Sequence, residues 1–294
     1  MSSNVDSIAL DEAALTERFD QLVKDGVIFY DPDPKVIPCE DGGYKFEFQI
    51  THALKNKPGI PSSPPAHQVA PSSIPGSDIN VSGFEIQPIG ATHLLAYNMF
   101  SGFRPHFLLL TQNGHRKQHE PLDMDDIQAL YVVLSAMKGE YMALYNCGED
   151  SGCSRSHKHM QLIPHATATF DVWRNIMAQG PNMPYQSFVG TFPSGLPEPQ
   201  ELLCIYLELF QQAQNALGQS VSEGNRAPPH NVIFDRNGIM VIPRRAAGIS
   251  RAGANAAGML GVLWMSSEAR AQEWMDLGPV NVLKAAGVPE TSGD

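Results

Sequence analysis

The stretch SGCSRSHKHMQLIP, Ser151–Pro164, decides how the rest of this chain is read. Its second half has the length and residue types of a β-strand, whose successive side chains point to opposite faces. His157, His159 and Gln161 are then expected on one face, with Lys158, Met160 and Leu162 on the other. That alternation excludes Lys158 as the cation meeting whatever the histidines act on.

Three chemistries compete for the polar face. The first is a solvated strand with no task. The second is a zinc site built from Cys147, Cys153, His157 and His159, although the cysteine spacing fits known zinc patterns poorly. In the third, one histidine attacks phosphorus. A neutral imidazole is a good nucleophile when its other ring nitrogen donates a hydrogen bond, and a strand carbonyl close by can accept it. Gln161, two residues on, would then donate an amide N–H to charge developing on the phosphate. The preceding run Ser151–Ser156 supports an anion-binding reading. Small, hydroxyl-bearing residues let backbone N–H groups converge, and Arg155 adds a planar fork of donors.

Around this stretch the 294-residue chain reads as an ordinary globular protein, 43% hydrophobic and 17% charged. No window has the roughly 20 apolar residues of a membrane helix. The N-terminus lacks the basic start and greasy run of a signal peptide, and reads as a helix over Ile8, Leu10, Leu15, Phe19 and Leu22. Four irregularly spaced cysteines (Cys39, Cys147, Cys153, Cys204) suit reduced thiols in the cytoplasm rather than a disulfide scaffold. A formal charge of −11 disfavours nucleic acid as a partner, so a polyanionic ligand needs a local basic pocket. Lys55, Lys57, Arg155, Arg244, Arg245 and Arg251 are the candidates for it.

Strands are expected in 26–54, in FEIQPIGATHLLAYN and in PHFLLLT. PLDMDDIQALYVVLSAMKGEYMALYN carries an Asp cap near Asp123 and a helical stripe from Ile127 to Met137, and helices are expected in FDVWRNIMAQ and PQELLCIYLELFQQAQNAL. HNVIFDRNGIMVIPRR is a hairpin turning on Asn-Gly, and helices are expected around Met259–Met265 and Ser267–Met275. Residues 58–80, rich in Pro and Ser, read as a flexible surface insertion. The sum is an α+β protein built round an antiparallel sheet, flanked by helices, with a C-terminal hairpin and helices.

Asn146, Gly148, Ser151, Gly152, Ser154, His157, Lys158, His159 and Gln161 together make a run, N-x-G-x-x-S-G-x-S-x-x-H-K-H-x-Q. It resembles the active-site segment of the fungal diadenosine tetraphosphate phosphorylases, or ATP adenylyltransferases, of the histidine-triad-like superfamily. YKFEFQITHALKNKPG, RPHFLLLT and HNVIFDRNGIMVIPRR resemble further segments of that family, in the same order.

The resemblance implies a histidine-triad-like fold, with a catalytic region over 1–170 and a C-terminal region over 171–294 completing the nucleotide site. It implies reversible phosphorolysis of diadenosine tetraphosphate to ATP and ADP through an adenylyl-histidine. His159 would be the nucleophile, His157 its brace and Gln161 the phosphate holder. Lys57, Asn98, Asn146, Gly152, Cys153, Ser154, Arg155, Asn231, Met240 and Arg244 would bind substrate. The ligands would be small nucleotides and phosphate, with no protein-bound cofactor or metal and any divalent ion such as Mg²⁺ carried by the nucleotide. A hydrolase releasing AMP and a non-catalytic nucleotide-binding homologue are the alternatives. The chain departs from the family at Met99, Pro229-His230 and Asp235-Arg236, positions that the resemblance places near substrate.

Overall fold

Apolar runs bounded by turn formers become strands here, and the largest group of them forms one sheet. The computed structural model of the protein describes residues 8–54, 74–165, 171–180 and 182–290. Eight strands pair antiparallel in the order Phe188–Thr191, Gly238–Pro243, His230–Phe234, Tyr141–Cys147, His159–Pro164, Phe107–Thr111, His93–Tyr97 and Glu85–Ile89. The expected hairpin forms with Phe234 opposite Ile239. Its turn is fixed by Asp235, whose Oδ1 accepts from the backbone N–H groups of Asn237 (2.7 Å) and Gly238 (3.0 Å).

Alternation gives the sheet two apolar faces. Met160, Leu162, Val232 and Val241 pack on a helical layer formed by Glu12–Lys24, Met124–Ala136 and Pro199–Leu217. The middle helix starts at a reciprocal cap between Asp123 and Asp126, as its sequence suggests. Leu144, Ile163, Ile233 and Ile242 face the other way, toward Phe46, Phe48, Met259 and Trp274. On that side a three-stranded sheet joins Val262–Met265, Tyr44–Ile50 and Lys35–Asp41. The expected regions 1–170 and 171–294 therefore share the large sheet and, through Tyr44–Ile50 and Val262–Met265, the small one.

Two expectations are corrected. Met259–Met265 is not a helix: a short helix, Ala256–Met259, stops before Gly261, and Val262–Met265 runs as a strand parallel to Tyr44–Ile50. Gly261 has φ +89°, and a Cβ there would sit 2.4 Å from the Lys45 carbonyl oxygen, so the chain must turn out of the helix at a glycine. The insertion at 58–80 is also not wholly a loose loop. Most of it lies outside the described residues, but Ile74 and Ile79 are buried in the core at its end. Among the described residues no helix is long and apolar enough to cross a membrane.

His230, one of the chain's departures from the family, lies fully buried under the helical layer. Its Nδ1 meets the Pro228 carbonyl at 2.8 Å and its Nε2 the Tyr206 hydroxyl at 3.1 Å. Burial lowers it to about 4, so the folded state holds it neutral while an unfolded chain protonates it below about 6.5. Stability from this group is present above the unfolded value and is lost as pH falls from about 6.5 toward 4. At pH 5 the loss is about 2 kcal/mol. Urea titrations at pH 7 and pH 5 will show this difference in the parent protein, and His230→Gln will remove that part of the pH slope. An unchanged slope would contradict the assignment.

Candidate active site

The site begins where strand pairing stops. Tyr141–Cys147 and His159–Pro164 pair from Tyr141 opposite Pro164 as far as Leu144 opposite Gln161. Beyond that point one buried side chain, Gln118, replaces the ladder. Its Nε2 donates to the carbonyls of Asn146 and His159, both at 3.0 Å, and its Oε1 accepts from the His159 backbone N–H at 2.8 Å. An amide has the two donors and one acceptor that such a gap requires.

His159 and Gln161 share a face of their strand, opposite Leu110 and Leu108 of Phe107–Thr111. The His159 Nδ1 lies 2.8 Å from the His157 carbonyl oxygen. A carbonyl only accepts, so Nδ1 carries the proton and Nε2 carries the lone pair. This is the backward lean expected of a ring on a strand.

His157 itself is corrected. It precedes the strand rather than standing beside His159 on it, and it is fully buried. The Ser77 hydroxyl lies 2.7 Å from its Nδ1 and the Thr111 hydroxyl 2.9 Å from its Nε2, while burial lowers its pKa. The ring is a neutral anchor, and the bracing of His159 comes from the His157 main-chain carbonyl. Asp78 completes the anchor by accepting from the backbone N–H groups of Ser156 (2.7 Å) and His157 (2.9 Å). Burial raises the Asp78 carboxyl, but these hydrogen bonds outweigh it and hold it below the usual range. The Ser156 N–H, part of the run expected to face a ligand's anion, thus faces a carboxylate of the chain.

Lys158 points away, as expected. Its Nζ lies 2.5 Å from Asp126 Oδ2 and 2.7 Å from the Pro121 carbonyl on the helical side of the sheet.

A cavity of about 490 Å³ opens on the other side, with Asn98, Gly152, Ser154 and Gln161 among its walls. Gln161 Oε1 lies 3.1 Å from His106 Nε2, so the amide oxygen faces His106. Asn98 Oδ1 accepts from the Phe100 backbone N–H at 3.1 Å, and its Nδ2 lies 3.1 Å from His106 Nε2. Gly152 is required by contact: at φ +80°, a Cβ there would sit 2.6 Å from the Ala254 carbonyl oxygen.

Other expected substrate contacts have partners within the protein. Asn146 Oδ1 accepts from Asn231 Nδ2 and from the Ala256 backbone N–H, each at 2.8 Å, and Asn231 Nδ2 also reaches the Ser151 carbonyl at 2.9 Å. Arg244 is 1% exposed, and its N–H groups donate to Asn231 Oδ1 and to the carbonyls of Ser151, Ala246, Ala247, Ala254 and Ala286. Burial lowers it to about 10. These polar atoms are spent on holding the 148–155 and 246–254 loops together. Met240 is fully buried in the core opposite Val189 and Ile233. Cys153 is buried, its thiol raised to about 11, and Arg155 Nη1 donates to the Ser154 carbonyl at 2.7 Å. Neither residue is on the cavity walls. Lys55 and Lys57 lie outside the described residues.

The zinc alternative does not assemble. Cys147 Sγ turns to the Glu120 carbonyl, and among the described residues no group of three His, Cys, Asp or Glu is placed to hold a metal. The departures from the family are likewise structural. Met99 packs at the edge of the core, Asp235 accepts from Trp173 Nε1 at 2.8 Å, and Arg236 donates to the Leu134 and Met137 carbonyls at a helix end.

Sequence reasoning missed Ser77, Asp78 and Gln118, whose partners are distant in the chain. It also missed the aromatic wall, where Phe103 and Trp264 meet edge to face at 4.6 Å. The run Val-Leu-Trp-Met after Gly261 is a strand signal that could have placed Trp264.

Residues 77–175 match the model of the Ap4A phosphorylase N-terminal domain, and residues 181–289 match that of the ATP adenylyltransferase C-terminal domain. The chain belongs to the Ap4A phosphorylase family. It is 25% identical to diadenosine 5',5'''-P1,P4-tetraphosphate phosphorylase 2 of Saccharomyces cerevisiae over 180 residues, 52% of this chain and 55% of the relative. This alignment therefore spans about half the length of that relative. Identity to Protein APA1 of the same yeast is 26% over 227 residues, 68% of this chain and 70% of the relative. The crystal structure of yeast Ap4A phosphorylase Apa2 superposes with a TM-score of 0.74 at 18% identity, covering 99% of this chain and 100% of that one. Its complex with Ap4A gives 0.73 at 17% identity, over 97% and 100%. At such identities these structures show that the fold of the Ap4A phosphorylases is kept.

Arg244→Met leaves several buried carbonyls without donors, which will cost about 3 kcal/mol or more in urea unfolding. A variant of normal stability with weakened nucleotide binding would restore Arg244 as a direct contact.

Proposed function

We propose that this protein is a nucleotidyltransferase that cleaves diadenosine tetraphosphate with inorganic phosphate, giving ATP and ADP. The observation that carries the reading is the hydrogen bond between His159 Nδ1 and the His157 carbonyl, which puts the lone pair on Nε2. Family membership and the named activity of the yeast relatives supply the substrate.

In the first step Nε2 attacks the α-phosphorus. The bond from that phosphorus to the bridging oxygen breaks, and ATP leaves with the electron pair. The adenylyl-imidazolium keeps its Nδ1 proton on the His157 carbonyl, so its charge faces a fixed dipole. In the second step an oxygen of inorganic phosphate attacks the same phosphorus, the P–N bond breaks, and ADP forms with neutral His159 restored. Two displacements at one held phosphorus replace an encounter of two polyanions, and positioning is the main source of rate.

Gln161 donates an N–H to the phosphoryl oxygens and cannot shuttle a proton. A phosphate nucleophile needs no general base, whereas water would. Any divalent ion arrives with the polyphosphate. We assign the reaction to the cytoplasm, in keeping with four unpaired cysteines.

Product formation from diadenosine tetraphosphate will require added phosphate, and without it the protein will gain the mass of one adenylyl group on His159. AMP released equally with and without phosphate would indicate a hydrolase instead. His159→Ala will lose activity on the order of 10⁴-fold and still bind nucleotide. Gln118→Met will lower kcat on the order of 10²-fold with KM little changed, because it loosens the nucleophile and leaves the cavity walls intact. An unaltered kcat in that variant would remove Gln118 from the account.

A further inference from the structure

The cavity wall carries two arginines that the chemistry at His159 does not use. A small hairpin, Gly248–Ile249 paired with Ala252–Gly253, reverses at Ser250 and Arg251, with Ser250 at φ +52°. Its base is held from beneath by Arg244, which donates to the carbonyls of Ala246, Ala247 and Ala254. Its tip is held by Arg270, whose Nη2 donates to the Arg251 carbonyl at 2.5 Å. The hairpin therefore has its supports before any charge is counted.

Glu273 lies between the two arginines. Its Oε2 is 2.7 Å from Arg270 Nη1, and its Oε1 accepts from Arg251 Nη2. One carboxylate thus occupies donors of two guanidinium groups. All three side chains reach solvent, Arg251 at 74%, Arg270 at 35% and Glu273 at 30%, so the pairs are screened and weak. Among the described residues, Arg251 and Arg270 are also the lysines and arginines on the cavity walls.

We propose that Arg251 and Arg270 form a subsite for the phosphates of the leaving nucleotide, and that Glu273 is an internal stand-in which those phosphates displace. This rests on the polyphosphate reading above. Phosphate oxygens fit the guanidinium fork as a carboxylate does, and a polyphosphate brings several such edges where Glu273 brings one. A purely structural ion pair makes the opposite forecast for Glu273→Gln, because losing it would loosen the hairpin and weaken binding.

The test is calorimetric binding of inorganic tripolyphosphate, diadenosine tetraphosphate and AMP at low and moderate salt. Glu273→Gln will tighten the two polyphosphates about 3- to 10-fold and leave AMP unchanged. Arg251→Gln and Arg270→Gln will weaken the polyphosphates by a similar factor, with a shallower salt dependence. Unchanged or weaker polyphosphate binding in Glu273→Gln overturns the proposal, as does an equal effect on AMP. Normal phosphorolysis with this failure sinks the subsite alone. The expected tripolyphosphate pattern without any phosphorolysis sinks the proposed reaction and keeps the subsite.

Discussion

The hydrogen bond from the His159 ring to the His157 carbonyl is the constraint on which the site depends. An imidazole turns about two single bonds and has two neutral tautomers, and this one contact selects among them. It does so only if the carbonyl is itself immobile. Three clamps make it so: Asp78 on the backbone N–H groups of Ser156 and His157, the hydroxyls of Ser77 and Thr111 on the His157 ring, and Gln118 on both main-chain groups of His159. Each clamp is a satisfied buried polar contact, so loosening one exposes a donor or acceptor to an environment that cannot solvate it.

The far face of the same segment holds it from behind. Alternation sends Lys158 into the helical side, where Asp126 takes its ammonium at 2.5 Å and the His93 ring at 3.1 Å. Burial alone would raise the Asp126 carboxyl, but His93 and Lys158 together hold it far below the usual range. A buried ion pair gives little net stability, while removing one partner is severe because the other charge stays buried. Its contribution is registry. Slipping the strand by one residue would turn Lys158 to the face that now carries His159 and Gln161, and His159 toward Asp126.

How much of this the sequence discloses depends on the reach of each interaction. The alternation at His159 and Gln161, the Asp-Arg-Asn-Gly hairpin and the long helix Pro199–Leu217 are local, and the structure has them where the pattern puts them. Asn146, Asn231 and Arg244 are expected as ligand contacts from the resemblance alone, and a buried polar side chain must bond to something. Which main-chain groups lie within reach is a long-range matter, and in the structure they include the carbonyls of Ser151, Ala254 and Ala286. Gln118 and Asp78 carry no local signal at all. Their partners lie 41 and 79 residues away, at His159 and His157. Trp264 was hidden by reading a short apolar run as helix, where the parallel partner Tyr44–Ile50 decides for strand.

The same accounting bears on how an acidic protein meets a polyanion. The formal charge is −11, and several surface cations are already matched, Arg104 to Asp20, Arg116 to Glu120 and Asp123, Lys35 to Glu268. Other arginines act as backbone donors: Arg236 at a helix end, Arg245 on the Gly287 carbonyl, Arg244 across the loops behind the site. Little long-range field remains to draw a nucleotide in, and beyond a Debye length of about 8 Å salt would screen it. Recognition then has to come from donors at contact distance, inside a cavity where each counts for more than it would in water. A chain arranged in this way trades capture rate for discrimination by geometry, since an anion that reaches neither His159 nor the Arg251–Arg270 pair finds few charges among the described residues to hold it.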